Sequence, residues 1–383
     1  MTASGISILG TGLAGLGHAG GRSEQEIIAE ASHRAVSASG LQLADIDGLI
    51  TCSITSPWWV IRIAEYLGIQ PTFSDSTMFG GSSFIADLLT ARLAISAGLC
   101  RHVLICYAAT PRSARSNSAM NNMRAQLDPQ LYEHPYRPFN PPTSYALAAA
   151  RHMHEYGTTR EQLAEVAVAA RGWAMLNPDA FRRDPLSVDD VLNARMLSEP
   201  LTVLDSCLVT DGAAAFVVSA ADPARDLHPA PVDVLGVGHA HSHRQISSMP
   251  DLTETSAARS GRIAFDEAGL RPHDIDVVEL YDAFTITPIL FLEDLGFCAK
   301  GEGGSFVSEG RIAPGGSFPL NTNGGGLSCV HPGMYGAFLV VEAVTQLRGE
   351  GGSRQVPDAR TALVHGNGGV LSSQATAILA NGR

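Results

Sequence analysis

Two stretches of this chain are apolar on nearly every helical face. The first follows a glycine turn and runs from Gly80 to Gly98, with Phe84-Ile-Ala-Asp-Leu-Leu at its start. The second spans His331 to Gly349. A helix that is hydrophobic all round has no face for water, so both are expected to be buried between other layers. Each is followed by a short apolar run, His102-Val-Leu-Ile-Cys106 and Thr361-Ala-Leu-Val-His365, which reads as a buried strand.

The pattern is duplicated. Ala35 to Leu49 (Ala-Val-Ser-Ala-Ser-Gly-Leu-Gln-Leu-Ala-Asp-Ile-Asp-Gly-Leu) recurs as Ala264 to Val278. The strand Ile8-Leu-Gly-Thr-Gly12 recurs as Val234-Leu-Gly-Val-Gly238. Each half therefore reads strand, long helix, Asp-Ile-Asp and a second strand, an α/β plan of layers. The halves are expected at 1–225 and 226–383. Between about Thr110 and Pro200 lies an unrepeated insertion that opens with Arg112, Arg115, Arg124 and Arg137. A helix over Thr143–Tyr156 and a capped start at Thr159-Arg-Glu-Gln follow, and a lid or loop domain of this size is expected over the core.

Composition narrows the class. With 45% hydrophobic residues, 39 glycines and 17% charged residues, the chain has the make-up of a compact globular protein. A net charge of −12 argues against nucleic acid or an anionic membrane as partner. No apolar run approaches the roughly 20 residues of a membrane span. Without a leader signal, a cytoplasmic protein is expected. The six cysteines form no C-x-x-C pair and read as reduced thiols. Lys300 is the single lysine and sits in a polar, glycine-rich segment, which argues against Schiff-base chemistry.

The most chemically suggestive segment is Asn321-Thr-Asn-Gly-Gly-Gly-Leu-Ser-Cys-Val-His331-Pro-Gly-Met-Tyr335-Gly336. Gly324 and Gly325 allow close backbone approach to a ligand. The expected helix N-terminus at His331 favours negative charge on a thioester oxygen. With this turn stand Leu280-Tyr-Asp-Ala-Phe-Thr285, Leu292-Glu-Asp-Leu-Gly-Phe-Cys298, Asp205 to Ala215, Gln346-Leu-Arg-Gly349 and His365-Gly-Asn-Gly368-Gly369. Together they resemble the thiolase superfamily over essentially the whole chain, and most of all its sterol-carrier-protein-x thiolase-like branch. The resemblance implies a five-layer αβαβα fold with an inserted loop domain, a homodimer, a coenzyme A thioester as substrate with no other cofactor, and a small zinc-ribbon/OB-fold partner protein.

The departures shape the functional expectation. In thiolases the nucleophilic cysteine heads the first buried helix; here the turn reads Phe79-Gly80-Gly81-Ser82-Ser83, and Gly81 falls at the cysteine's place. A serine lacks the low pKa that makes a thiol a nucleophile, although Ser82 or Ser83 activated by a histidine is an alternative to their role as helix caps. Retro-aldol cleavage needs no nucleophile, only a base, an oxyanion site and an acid. The resemblance to thiolase-like aldolases of steroid side chains gives Tyr281 as base, its pKa lowered by a histidine, with His331 polarising the thioester and His365 protonating carbon. The bland readings are a hydrogen-bonded core Tyr281 and a satisfied buried His365. Tyr335 would lie a helical turn beyond His331 and either line the pocket or pack the helix. Asn321 would orient a water or the backbone, or simply serve the turn. Cys329 reads as a structural thiol. His239, His241 and His243 read as solvated histidines, with a metal site as the alternative, and Trp58-Trp59 as a helical core or interface pair. An acyltransferase and a non-catalytic acyl-CoA-binding homologue are the other functional classes.

Overall fold

The computed structural model describes residues 5–113, 133–228 and 230–382. Arg115 and Arg124 lie outside them. In chain order the elements are β1 (Ile6–Gly17), α1 (Glu24–Ala38), β2 (Gly48–Thr51), α2 (Trp59–Leu67), β3 (Phe73–Asp75), α3 (Ser83–Ser96) and β4 (His102–Ala109). The insertion gives α4 (Pro142–Tyr156), α5 (Arg160–Leu176), α6 (Val188–Leu192), β5 (Met196–Ser198) and β6 (Leu201–Thr202). Then come β7 (Asp211–Ala220), α7 (Ala221–Leu227), β8 (Val232–His241), α8 (Ala257–Ala268), β9 (Val277–Leu280), α9 (Ile286–Asp294), α10 (Gly303–Phe306), α11 (Gly336–Arg348), β10 (Thr361–Gly368) and β11 (Ser373–Asn381).

Nine of the described strands form one mixed sheet in the order β3-β2-β4-β7-β1-β8-β11-β10-β9. The two repeats meet at its middle, where β1 and β8 run antiparallel with Ile6 opposite Val234. The apolar helices α3 and α11 pack against strands from both ends of the sheet, and so form the central layer. The outer layers include α1 on β1, β7 and β4, and α8 on β8 and β11. The repeat extends to this contact. A Cβ on Gly12 would stand 2.2 Å from Ala31 O, and one on Gly238 1.9 Å from Ser260 O, so glycine lets each outer helix sit directly on its strand. The result is the expected thiolase-like five-layer α/β arrangement.

Two element boundaries differ from the sequence reading. The second central helix begins at Gly336, not at His331, because Gly324 and Gly325 adopt positive φ and the chain makes a wide turn over Gly325–Cys329 before extending at Val330. His331 therefore stands ahead of the helix and not at its N-terminus. Trp58, expected in a helix, has φ 62° and is 74% exposed, whereas Trp59 starts α2 and is buried.

The insertion is tied to the second repeat by buried charge. His152 of α4 places its Nδ1 2.8 Å from Thr158 Oγ1 and its Nε2 3.0 Å from both carboxylate oxygens of Glu293 in α9. Glu293 also accepts from Gly303 N and pairs with Lys300 at 3.2 Å. The only lysine is thus committed to Glu293, Asp294 and Thr253 O, and its carboxylate partners raise its pKa against the opposing effect of burial. An ammonium held charged is no Schiff-base nucleophile.

Candidate active site

Strand β9 ends at Leu280 and delivers Tyr281 into the space between the two central helices' turns. The strand's exit is fixed from both sides. Tyr281 N donates to His365 O at 2.9 Å, and Leu280 N donates to Asn321 Oδ1 at 2.7 Å. Asn321 thus orients backbone, from a left-handed φ of 53° that asparagine tolerates better than most residues.

The glycine turn is built around Asp282, a residue the sequence reading passed over. Its buried carboxylate accepts from Gly326 N at 2.6 Å and Leu327 N at 3.2 Å. A Cβ on Gly325 would fall 2.0 Å from Asp282 Oδ2, so the carboxylate occupies the place a side chain would need. Desolvation pushes Asp282 up to about 7 although the two backbone donors oppose it. Two anchors from the first repeat complete the loop: His331 N donates to Thr210 Oγ1 at 2.8 Å, and the Tyr107 hydroxyl donates to Pro332 O at 2.7 Å.

These constraints bring Tyr281 and His331 together. The Tyr281 hydroxyl lies 3.0 Å from His331 Nε2, with the rings nearly perpendicular at 87° and 5.5 Å between centroids. Tyr335 meets Tyr281 edge-on at 5.8 Å and donates its hydroxyl to Asn323 Oδ1 at 2.9 Å. It reaches the pair although it precedes the helix and shares no helical face with His331. Burial raises the Tyr281 phenol well above its ordinary value, with Cys207 and Tyr145 close enough to add to the effect. This reverses the expectation of a lowered phenol pKa. Burial also holds His331 down to about 4. The pair is therefore neutral phenol against neutral imidazole.

Gly81 faces this pair directly. A Cβ there would stand 2.0 Å from Tyr281 Cε2, 2.7 Å from Tyr281 Cζ and 2.7 Å from Asn367 O. The aromatic ring fills the volume that a side chain on residue 81 would enter. Gly368 is equally constrained, because a Cβ on it would lie 1.7 Å from Phe79 O. The Gly80–Gly81 and Gly368–Gly369 turns therefore abut main chain to main chain.

Other expected residues sit elsewhere. His365 is fully buried, with Nδ1 2.9 Å from Thr376 Oγ1 and Nε2 3.0 Å from Gln374 Oε1. Burial lowers it to about 3. Both ring nitrogens are engaged in the core, and although the His365 carbonyl accepts from Tyr281 N, no described hydrogen bond or ring contact joins its imidazole to Tyr281 or His331, which fits the reading of a satisfied buried histidine. Its chain of contacts continues from Gln374 through Asn367 to the Tyr145 hydroxyl of α4. Ser82 and Ser83 are buried and do not cap α3 in the expected way. Ser82 Oγ lies 2.7 Å from Ser373 Oγ, and Ser83 Oγ accepts from Phe79 N. Gly324 packs against Ala174 of α5 and serves the turn. Cys329 is buried with its thiol pKa raised. His241 is exposed, as expected, whereas His239 and His243 are half-buried: the His239 and His241 rings pack 4.8 and 4.7 Å from Phe79 and 4.2 Å from each other, and His243 Nε2 bonds Val370 O. Among the described residues no group of three or more His, Cys, Asp or Glu is arranged to hold a metal.

A duplicated α/β sheet with two buried central helices, whose glycine turns enclose a Tyr–His pair, is the architecture of a thiolase-fold enzyme. Residues 238–381 match the family model "Thiolase C-terminal domain-like". The chain is 32% identical to an acetyl-CoA acetyltransferase of Methanothermobacter thermautotrophicus, over 97% of this chain and 98% of that protein. It is 33% identical to a steroid side-chain-cleaving aldolase of Thermomonospora curvata, over 96% of each. Among solved structures, one described as "Ltp2-ChsH2(DUF35) aldolase" superposes with a TM-score of 0.88 at 32% identity, covering 99% of this chain and 98% of that one. The chain belongs to the thiolase superfamily, in its SCP2-thiolase-like branch. It is an acyl-CoA enzyme of that superfamily. No described helix is long and apolar enough to cross a membrane.

Proposed function

We propose that the protein is a lyase that cleaves a β-hydroxyacyl-CoA by a retro-aldol reaction, giving a ketone or aldehyde and a shorter acyl-CoA. The observation that carries this reading is the Tyr281 ring lying where a side chain on residue 81 would have to go, beside a hydrogen-bonded His331. The resemblance to steroid side-chain aldolases supports the substrate class.

The neutral pair suggests how the proton travels. In the tautomer with its hydrogen on Nδ1, His331 accepts from the Tyr281 hydroxyl. The substrate's β-hydroxyl gives its proton to Tyr281 Oη while Tyr281 passes its own to His331 Nε2, so no buried phenolate has to stand alone. The Cα–Cβ bonding pair becomes the thioester enolate, and the β-carbon becomes a carbonyl. The imidazolium, strongly acidic because its pKa lies near 4, returns the proton through Tyr281 to the enolate carbon. No net proton is consumed. The abutting glycine turns at Gly80–Gly81 and Gly368–Gly369 are assigned to the thioester oxygen, since backbone N–H groups can approach it there. In this scheme His331 acts on Tyr281 and not on the thioester, and His365 supports the core.

The two repeats at 1–225 and 226–383 are proposed as the structural units, with 110–200 as the loop domain bordering the acyl pocket. A homodimer and a small zinc-ribbon/OB-fold partner belong to the same proposal; the aldolase whose description pairs Ltp2 with ChsH2(DUF35) supports the partner. The test is a product assay on matched β-hydroxyacyl-CoA and β-ketoacyl-CoA substrates, with and without free coenzyme A. Cleavage of the hydroxy substrate without added coenzyme A is expected, and Tyr281→Phe should lower kcat by about 10²–10⁴. Undiminished turnover in that variant overturns the scheme.

The relative described as an acetyl-CoA acetyltransferase supports acyl transfer as a second reading. Cys207, whose N–H donates to Ala283 O two residues beyond Tyr281, is the candidate thiol, although burial raises its pKa and works against it as a nucleophile. Cleavage of the keto substrate only with coenzyme A would favour it.

A further inference from the structure

We infer that residues 81 and 281 form one mutually exclusive pair that sets the reaction class of this site, an inference that rests on the lyase reading and deepens it. The nearest atoms to a Cβ built on Gly81 are Tyr281 Cε2 at 2.0 Å, Tyr281 Cζ at 2.7 Å and the Asn367 carbonyl at 2.7 Å. Separations below about 3 Å are far inside van der Waals contact. The obstruction is thus chiefly the phenol ring, and the ring cannot step aside. It is 4% exposed, hydrogen-bonded to His331, and met edge-on by both His331 and Tyr335. Its backbone is pinned by the bond from Tyr281 N to His365 O.

The same geometry says what a side chain at 81 would do if the ring were absent. It would point into the space now held by the phenol, toward the hydroxyl's partner, His331 Nε2. A thiol in that position would have an imidazole as its base and would meet the substrate where the phenol does now. The chain therefore carries either a tyrosine that exchanges a proton with the substrate or a side-chain nucleophile at 81, never both. Glycine at 81 is the condition for tyrosine at 281.

The chemistry of the reversed pair balances without any further reactant. In Gly81→Cys/Tyr281→Ala, the thiol proton passes to His331. The thiolate sulfur bonds the thioester carbonyl carbon, the carbon–sulfur bond to coenzyme A breaks, and the departing thiolate takes the proton back. The products are an acyl-cysteine and free coenzyme A, with nothing oxidised or reduced.

Two measurements test the pair. The first is a double-mutant cycle of melting temperature on the full chain with Gly81→Ala, Tyr281→Ala and the double variant. Contacting residues give non-additive changes. Gly81→Ala is expected to lower the melting temperature sharply when Tyr281 is present and much less when it is absent. An equal drop in both backgrounds would mean that the Asn367 carbonyl is the barrier, and would overturn the inference. The second is intact-mass analysis after incubation with an acyl-CoA. Gly81→Cys/Tyr281→Ala should gain one acyl group with release of coenzyme A, at least about tenfold faster than Gly81→Cys alone. Equal acylation of the single variant, or none of the double, would sink the proposal. Tyr281→Ala, whose other thiols are unchanged, supplies the background. The outcome is separable from the lyase reading: a wild type that fails to cleave β-hydroxyacyl-CoA, with the cycle still non-additive, would remove the reaction and leave the exclusion standing.

Discussion

At the scale of single residues, the proposed site rests on two groups kept neutral by burial. An exposed histidine would titrate near 6.5, but the His331 imidazole is held to about 4. If it must be neutral to take the Tyr281 proton, the acid limb of the kcat/KM profile should fall near pH 4 and not near 6.5. A limb near 6.5 would mean that His331 is solvated in the working enzyme. Stability has a different pH window. The folded-state pKa values of His331 and His365, about 4 and about 3, lie below the unfolded value. Between these limits the unfolded chain binds more protons than the folded one, so both histidines take stability away as pH falls below about 6.5. Asp282 works in the opposite sense: raised to about 7, it contributes below the ordinary carboxylate range and loses that contribution as pH rises through about 7.

At the scale of elements, the Tyr–His pair is assembled by pieces that are remote in sequence. Strand β9 supplies Tyr281, the glycine turn supplies His331, and Thr210 and Tyr107 of the first repeat hold that turn in place. The insertion adds a second clamp. Glu293 of α9 satisfies His152 of α4, Lys300 and Gly303 N together in a buried setting. Replacing it with alanine removes all of these at once. Glu293→Ala should cost about 3–5 kcal/mol in denaturant unfolding, because unpaired buried polar groups carry the full desolvation penalty. A loss within about 0.5 kcal/mol would show that the cluster is solvated and the clamp unimportant.

At the scale of the whole molecule, the two repeats share one sheet through β1 and β8, and their central helices touch strands from both sides. A side chain of one repeat can therefore be held by the backbone of the other, and the Tyr281–His331 contact depends on that closure. The assembly proposed above is checked at this scale. Sedimentation of the isolated chain should give a dimer, and adding the zinc-ribbon/OB-fold partner should raise turnover of long acyl-CoA substrates. A monomer whose activity the partner does not change would remove both expectations.

Much of the architecture was legible in the sequence because it depends on local periodicity. The all-round apolar runs at Phe84 and Phe338 required buried helices, and the recurrence of Asp45-Ile-Asp47 at Asp274-Ile-Asp276 required two equivalent halves. The absence of a side chain at Gly81 was equally plain from the letters. What filled that absence was not, because Tyr281 lies two hundred residues away in the chain and only packing brings its ring to Gly81. The sequence placed His331 at a helix start, whereas positive φ at Gly324 and Gly325 postponed the helix to Gly336. Asp282 gave no signal within its motif, since its partners are the backbone N–H groups of Gly326 and Leu327 in a distant turn. Burial then fixed the protonation states. The sequence alone determined the two buried apolar helices, the recurrence of strand and helix in each half, and the missing side chain at Gly81. Tertiary structure decided which residues meet, and how far water is excluded when they do, because contact and desolvation belong to the folded arrangement and not to the order of residues.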